Sequence, residues 1–488
     1  MSVIRQQAVE RKKMFVGGKW LEGTGKTFEV FNPATEEVIA LVPDATEIEV
    51  GATVTAARAA LEDGPWGKMS ARERGRLIYK LAQRISEKAE ELARLESLNN
   101  GKPFFESSRV DLPSTVECFE YYAGWADKIE GETIPVSGPY LNYTLREPVG
   151  VVGAIVPWNF PMLLAAYKVA PALACGNTVI LKPAEETPLS ALRLGELAQE
   201  VGFPDGVFNV ITGLGPSTGA AMVRHSGIDK IAFTGSTATG QEIMKAAAMS
   251  LKKVSLELGG KSPNVVFADA DLDAAVKGAV SGIFYGKGEV CTAGSRLFVE
   301  EKIHDQFIEK LVERAKKMTP GDPFDSKTRL GPLVSKGQME RVLDYIAAGK
   351  SEGAELLTGG GRASIGNGKG YFVEATIFDK VEQNMKIAQE EIFGPVLATM
   401  RFESLEEAIE KANATVYGLA AGIWTKDVKK AHTFAKAVKT GTVWINTYGD
   451  YDAASPFGGY KMSGFGRELG KAALESYTQI KSVWVNLG

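Results

Sequence analysis

The stretch VGVVGAIVPWNFPMLLAAYKVAPALACGNTVILKP, residues 149–183, is the longest apolar run in the chain, and its interruptions decide how it folds. A bilayer span needs about 20 unbroken apolar residues. Here Pro157, Asn159, Pro161, Lys168, Pro171 and Asn177 break the run, so no membrane segment is expected. What remains is a β-rich run, a turn, a helix-length segment and a second β-rich run, TVILKP. That pattern predicts two buried strands joined by a helix.

The alternation continues on both sides. VFNVIT (207–212), KIAFTG (230–235) and KVSLEL (253–258) follow, separated by helical segments from about Ser190, Ser217 and Ala238. After Lys261 come NVVFA, a helix from about Leu272, SRLFVE, a helix from about Ile303, and more of the same to Trp444. Upstream, Leu77, Leu81 and Ile85 recur at helical spacing. Strands separated by helices predict an α/β fold of mostly parallel sheets, here two layers split near residue 260. The β-rich pieces 138–147 and 479–487 flank these layers and can pair as a small edge sheet, a surface that commonly seeks a partner subunit.

Composition narrows the function classes. The 488 residues carry 56 Lys+Arg against 60 Asp+Glu, a net charge of −4, and no basic run that would track a phosphate backbone, so no nucleic-acid partner is expected. Cys118, Cys175 and Cys291 are odd in number and unpaired in spacing. They argue against a disulfide framework and against a metal site, and for a reducing, cytoplasmic setting. The opening Met1–Phe15 is polar and lacks the apolar core of a secretory signal.

Four constellations carry candidate chemistry. In GEVCTAGS (288–295), Cys291 sits among small residues between a helix and a strand, where a thiol can reach a cleft. A lone cysteine is more often a small buried hydrophobe, and Cys118 and Cys175 read that way. In LELGGK (256–261), Glu257 ends an apolar run, so it is either ion-paired or a buried carboxyl of raised pKa suited to general-base work. In FTGSTATG (233–240), a strand hands over to a helix whose first amides would cradle an anion, most plausibly a diphosphate. GLGPSTG (213–219) is a weaker candidate of the same kind, because Pro216 removes a donor. In PWNFP (157–161), Asn159 needs a partner for its amide, either backbone or a developing oxyanion.

These four, with KPAEETP (182–188), EEIFGP (390–395), PFGG (456–459) and SPFGGYKMSGFGRELG (455–470), resemble the NAD(P)-dependent aldehyde dehydrogenase superfamily, and within it the broad-specificity aldehyde and retinal dehydrogenases. The resemblance runs from FVGGKW at 15–20 to the terminal strand. It implies a Rossmann-variant cofactor domain (1–126 and 148–259), a catalytic domain (260–465) and a small β oligomerisation element (127–147 and 466–488), assembled as a homodimer or homotetramer. It implies oxidation of a small-molecule aldehyde to the acid, with Cys291 as nucleophile, Asn159 and the Cys291 N–H as oxyanion donors, and Glu257 activating water. Glu468 would relay protons and Lys168 would assist.

The cofactor implied is NAD, with NADP disfavoured because Glu185, beside Lys182, would accept from the ribose hydroxyls and repel a 2′-phosphate. Trp158, Gly215, Phe233, Gly235, Ser236 and Gly240 resemble adenine and diphosphate contacts. Glu391 and Phe393 resemble nicotinamide-ribose contacts. Phe160, Tyr167, Tyr451 and Phe457 would line an aromatic substrate tunnel, although each alone also fits plain core packing. One departure stands out: where the family often has Asn-Gln-Gly-Gln, this chain has Gly286-Lys287-Gly288-Glu289.

Overall fold

The Val151–Ile155 and Thr178–Lys182 strands form as predicted and lie parallel, Val152 opposite Val179 and Gly153 opposite Ile180. The computed structural model describes residues 9–488, so residues 1–8 of the polar opening stretch lie outside it. Between the two strands runs the Pro161–Ala174 helix. Proline suits its first turn, where no N–H bond is lost. Every residue of the helix is buried, Lys168 included, so that ammonium must find a partner inside the protein.

The first sheet has eight strands. Its parallel centre runs, in space, Lys253–Glu257, Lys230–Thr234, Val151–Ile155, Thr178–Lys182, Phe208–Val210. Antiparallel pieces close it: Met14–Val16 and Lys19–Leu21 on one side, Gly464–Phe465 on the other. That last strand returns from late in the chain to pair with Lys253–Glu257. A seven-stranded second sheet is parallel except for its edge strand Glu355–Thr358, and Pro263–Val266 and Arg296–Glu300 lie near its middle. A third sheet pairs Tyr140–Pro148 with Thr478–Asn486 in antiparallel register, Glu147 opposite Gln479, with Thr133–Ile134 at its other edge.

The helix expected from about Ser217 differs. Gly215–Gly219 is a wide turn and the α-helix begins only at Ala220. Pro216 lacks an N–H, and the hydroxyls of Ser217 and Thr218 are drawn to Asp44 Oδ1 at 2.7 and 3.1 Å, which opens the first turn. Among the described residues no helix is long and apolar enough to cross a membrane.

Candidate active site

The order of the first sheet creates a crevice. From Val151–Ile155 the chain adds strands outward in one direction (Thr178–Lys182, then Phe208–Val210), then returns to add Lys230–Thr234 and Lys253–Glu257 on the other side. Two neighbouring parallel strands therefore send their following loops apart at their carboxyl ends, and ligands of α/β sheets bind at such a switch point. A cavity of about 210 Å³ lies there, lined among others by Trp158, Asn159, Gly235, Ser236, Cys291 and Phe393.

Cys291 reaches this cavity from the second sheet's side. The Leu272–Phe284 helix ends, the chain makes a tight turn at Tyr285–Gly288, and the Arg296–Glu300 strand follows shortly after the cysteine. Gly286, Lys287 and Gly288 all take left-handed φ values, 56°, 64° and 72°. Gly288 is required twice over, because a Cβ there would also strike the carbonyl of Gly394. The Cys291 thiol is pushed up by burial and by the nearby Glu391 and Glu257 carboxyls, while the N–H groups of Thr292 and of Cys291 itself pull the other way. Neutralising either carboxyl, or bringing a cation into the cavity, therefore favours the reactive thiolate.

Asn159 Nδ2 donates to the Glu289 carbonyl at 2.9 Å, while its Oδ1 is buried without a partner. The second N–H of the same amide remains for a ligand. Glu257 ends its strand with both carboxylate oxygens buried and unpartnered. Burial, then the neighbouring Glu468, pushes its pKa well above the usual carboxylate range, with Lys168 opposing. Lys168 Nζ is ion-paired with Glu468 and bonded to Thr234 Oγ1 at 2.6 Å. Thus Glu257, Glu468 and Lys168 form one buried charged cluster.

Of the remaining sequence-predicted residues, Trp158, Gly235, Ser236, Glu391 and Phe393 line the cavity, whereas Lys182, Glu185, Gly215, Phe233, Gly240, Phe160, Tyr167, Tyr451 and Phe457 do not. Ser236 caps the Thr237–Ala248 helix by accepting from the Thr239 N–H. The first-turn amides of that helix have no intrahelical partner. Gly235 and Gly240 are already committed, their N–H groups donating to the Glu257 carbonyl (3.1 Å) and the Ser236 carbonyl (3.0 Å). Gly240 acts through its missing Cβ, which lets the helix rest on Leu258. Phe233 packs its ring under Gly235. Lys182 Nζ lies 3.6 Å from Glu185 and its stem runs beside Gly219, in the turn that holds Gly215. Glu391 accepts from the Gly260 N–H at 3.0 Å, and burial pushes its pKa up to about 7. Phe393 stands edge-on to Trp158 with ring centres 5.2 Å apart.

The aromatic residues form two pairs. Tyr451, 46 % exposed, meets Phe457 edge-on at 5.8 Å. Phe160 faces Tyr285 at 6.1 Å. Tyr167 is buried, and its hydroxyl is held protonated by burial. Sequence reasoning missed Tyr285, and also Thr292, whose hydroxyl meets the Tyr451 hydroxyl at 2.5 Å and whose carbonyl accepts from Tyr448 at 2.7 Å. It also missed Gln338 and Arg341, which line the cavity from the Lys336–Ser351 helix and would be found only by knowing that this helix crosses the crevice.

The profile of the aldehyde dehydrogenase family matches residues 20–483. This chain belongs to the aldehyde dehydrogenase family. Human retinal dehydrogenase 2 is 51 % identical over 482 residues, 98 % of this chain and 92 % of its own. Human mitochondrial aldehyde dehydrogenase is 50 % identical over 486 residues, 99 % of this chain and 93 % of its own. The structure of an aldehyde dehydrogenase from Bacillus cereus in complex with NAD+ superposes with a TM-score of 0.96 at 54 % identity, covering 98 % of this chain and 97 % of that one. An oxidoreductase fold and family are thereby shown for the whole chain, as the sequence motifs led us to expect.

Proposed function

We propose that this enzyme oxidises an aldehyde to the free carboxylic acid with NAD, through a thioester on Cys291. The observation that carries the reading is that the cysteine loop of the second sheet and the switch point of the first open into one cavity, with Asn159 lining it beside Cys291. The residues present fit a dinucleotide. First-turn amides follow Ser236, Lys182 pairs with Glu185 beside the turn that holds Gly215, and the buried Glu391 carboxyl lines the cavity. When bound, nicotinamide accepts the hydride.

The chain's own groups do the rest. The Cys291 thiolate attacks the carbonyl carbon, and the oxygen becomes an oxyanion held by the Asn159 amide and the Cys291 N–H. Loss of hydride leaves a thioester. Glu257, unpartnered and of raised pKa, takes a proton from water, which attacks the thioester and frees the acid and the thiol. Glu257 passes the proton to the Lys168–Glu468 pair, so it is ready for the next turnover. A general base in this place favours water over coenzyme A as the acyl acceptor.

Phe160, Tyr167, Tyr451 and Phe457, with Tyr285, form the aldehyde's approach. Glu185 disfavours NADP. The first sheet forms the cofactor domain, the second the catalytic domain, and the third, with Ile480 and Trp484 exposed, an oligomerisation surface for a homodimer or homotetramer in the cytoplasm. The test is absorbance at 340 nm with a short aldehyde, NAD and no coenzyme A. NADH should form, and Cys291→Ala should lower the rate at least ~10³-fold. A Cys291→Ala enzyme that kept full rate would refute the reading.

A further inference from the structure

The Gly-Lys-Gly-Glu segment ahead of the nucleophile forms a closed ring of polar contacts. Lys287 and Glu289 are almost fully buried, with side chains 1 % exposed, and pair at 2.8 Å. Lys287 Nζ also donates to the carbonyl and the side-chain oxygen of Asn100, at 2.8 and 2.9 Å. Asn100 Nδ2 donates to the Trp158 carbonyl at 2.7 Å. The next residue, Asn159, donates to the Glu289 carbonyl at 2.9 Å. The circuit therefore runs from the oxyanion turn through Asn100, Lys287 and Glu289 and back to the oxyanion turn. It is pinned outside by the Val334 N–H, which donates to Glu289 Oε1 at 3.0 Å, and by Glu106, which accepts from the Gly286 N–H at 3.2 Å.

Lys287, Glu289 and Asn100 are not among the residues that line the cavity. Lys287 also holds a left-handed φ of 64°, a conformation a side chain keeps only where its surroundings impose it. The three contacts of its ammonium supply that constraint. A lysine present only to neutralise Glu289 would need neither Asn100 nor the twisted backbone.

We infer that Lys287 is a positioning residue: held by Asn100 and Glu289, it fixes the Asn159 amide against the Cys291 loop. This deepens the reading under Proposed function and rests on it. Removing the ring should slow acyl transfer to Cys291 without closing the cavity, since a misplacement of about 1 Å can cost ~10²-fold in rate.

The test compares Lys287→Met, the double variant Lys287→Met/Glu289→Met, and Lys287→Gln/Glu289→Gln with the parent enzyme. Lys287→Met leaves a lone buried carboxylate and can fail to fold. The two double variants leave no lone charge, and apolar or amide replacement of a buried pair is generally tolerated. Four quantities are read: kcat/KM for an aldehyde with NAD, the rate of Cys291 acylation by p-nitrophenyl acetate, the rate of its alkylation by iodoacetamide, and Tm. Acylation needs the thiol and the oxyanion donor, whereas alkylation needs only the thiol.

In the Met/Met variant, kcat/KM and acylation should fall roughly 10- to 100-fold, with alkylation within about twofold of the parent and Tm retained. The Gln/Gln variant, whose amides can rebuild the ring, should recover most of both rates. The inference is overturned if Met/Met acylates within threefold of the parent, or if alkylation falls in step with acylation. It is also overturned if Gln/Gln regains Tm but not rate. A parent enzyme that acylates normally but reduces NAD with no aldehyde would strike the functional reading instead, while the acylation comparison would still decide the role of Lys287.

Discussion

Glu257 and Glu289 are two buried carboxylates beside one cysteine loop, and the protein holds them in opposite ways. Glu257 has no hydrogen-bond partner on either oxygen, and its nearest charged neighbours include a second carboxyl, Glu468. Glu289 has the Lys287 ammonium on one oxygen and the Val334 N–H on the other. Burial raises the pKa of both, but Glu468 adds to the rise at Glu257 whereas Lys287 opposes it at Glu289. A buried carboxylate with no cation paired to it stays free to exchange protons, while one ion-paired to a buried ammonium becomes part of the frame. Under the proposed mechanism the same residue type serves as reagent on one side and as fixture on the other.

The largest expected effect is on the reagent. Glu257→Gln should slow thioester hydrolysis by about 10²- to 10⁴-fold, with NAD affinity within about twofold and a burst of NADH preserved in rapid mixing. An equal loss in Glu289→Gln would break the comparison. Next, kcat should rise with pH well above the ordinary carboxylate range, because a carboxyl of raised pKa must lose its proton before it can act as a base. That dependence should largely vanish in Glu257→Gln, measured as pH profiles of steady-state rate.

On the frame side, pH should act on stability. Burial pushes Glu106 up to about 8 and Glu96 up to about 7, from 4.5 in the unfolded chain. For a raised acid the folded state binds the extra proton, so the stabilisation is full below about 4.5 and is lost as pH climbs through about 8. Tm should therefore fall between about pH 4.5 and about pH 8, by several degrees, and Glu106→Gln, which keeps the proton's place without titrating, should flatten the slope. A Tm that rises over this range would contradict the sign. The smallest effect should come from Tyr451→Phe, which removes the hydroxyl contact to Thr292 and should shift kcat/KM among aldehydes by about twofold to tenfold.

Much of this was legible in the chain itself. The parallel strands announced themselves as β-branched runs between helix-length segments, and Glu257 was conspicuous because a carboxylate at the end of KVSLEL has nowhere polar to go. The Gly215–Gly219 turn was not legible, since it depends on Asp44, some 170 residues earlier. The departure at Lys287 and Glu289 could be noticed but not interpreted, because Asn100 lies 187 residues from Lys287 and nothing in local sequence brings them together. Tyr285, which ends the Leu272–Phe284 helix, was not legible as a neighbour of Phe160, because only the fold brings the two rings together.

The late return of the chain ties distant parts of the molecule together. Gly464–Phe465 completes the strand that carries Glu257, Phe457 and Glu468 are tied to each other by paired backbone bonds, and Thr478–Asn486 zips onto Tyr140–Pro148. The stretch from 451 to 486 therefore reaches into several sites at once: a break in it would cost the Glu257 strand its edge pairing, Lys168 its carboxylate and Tyr140–Pro148 its long partner strand together.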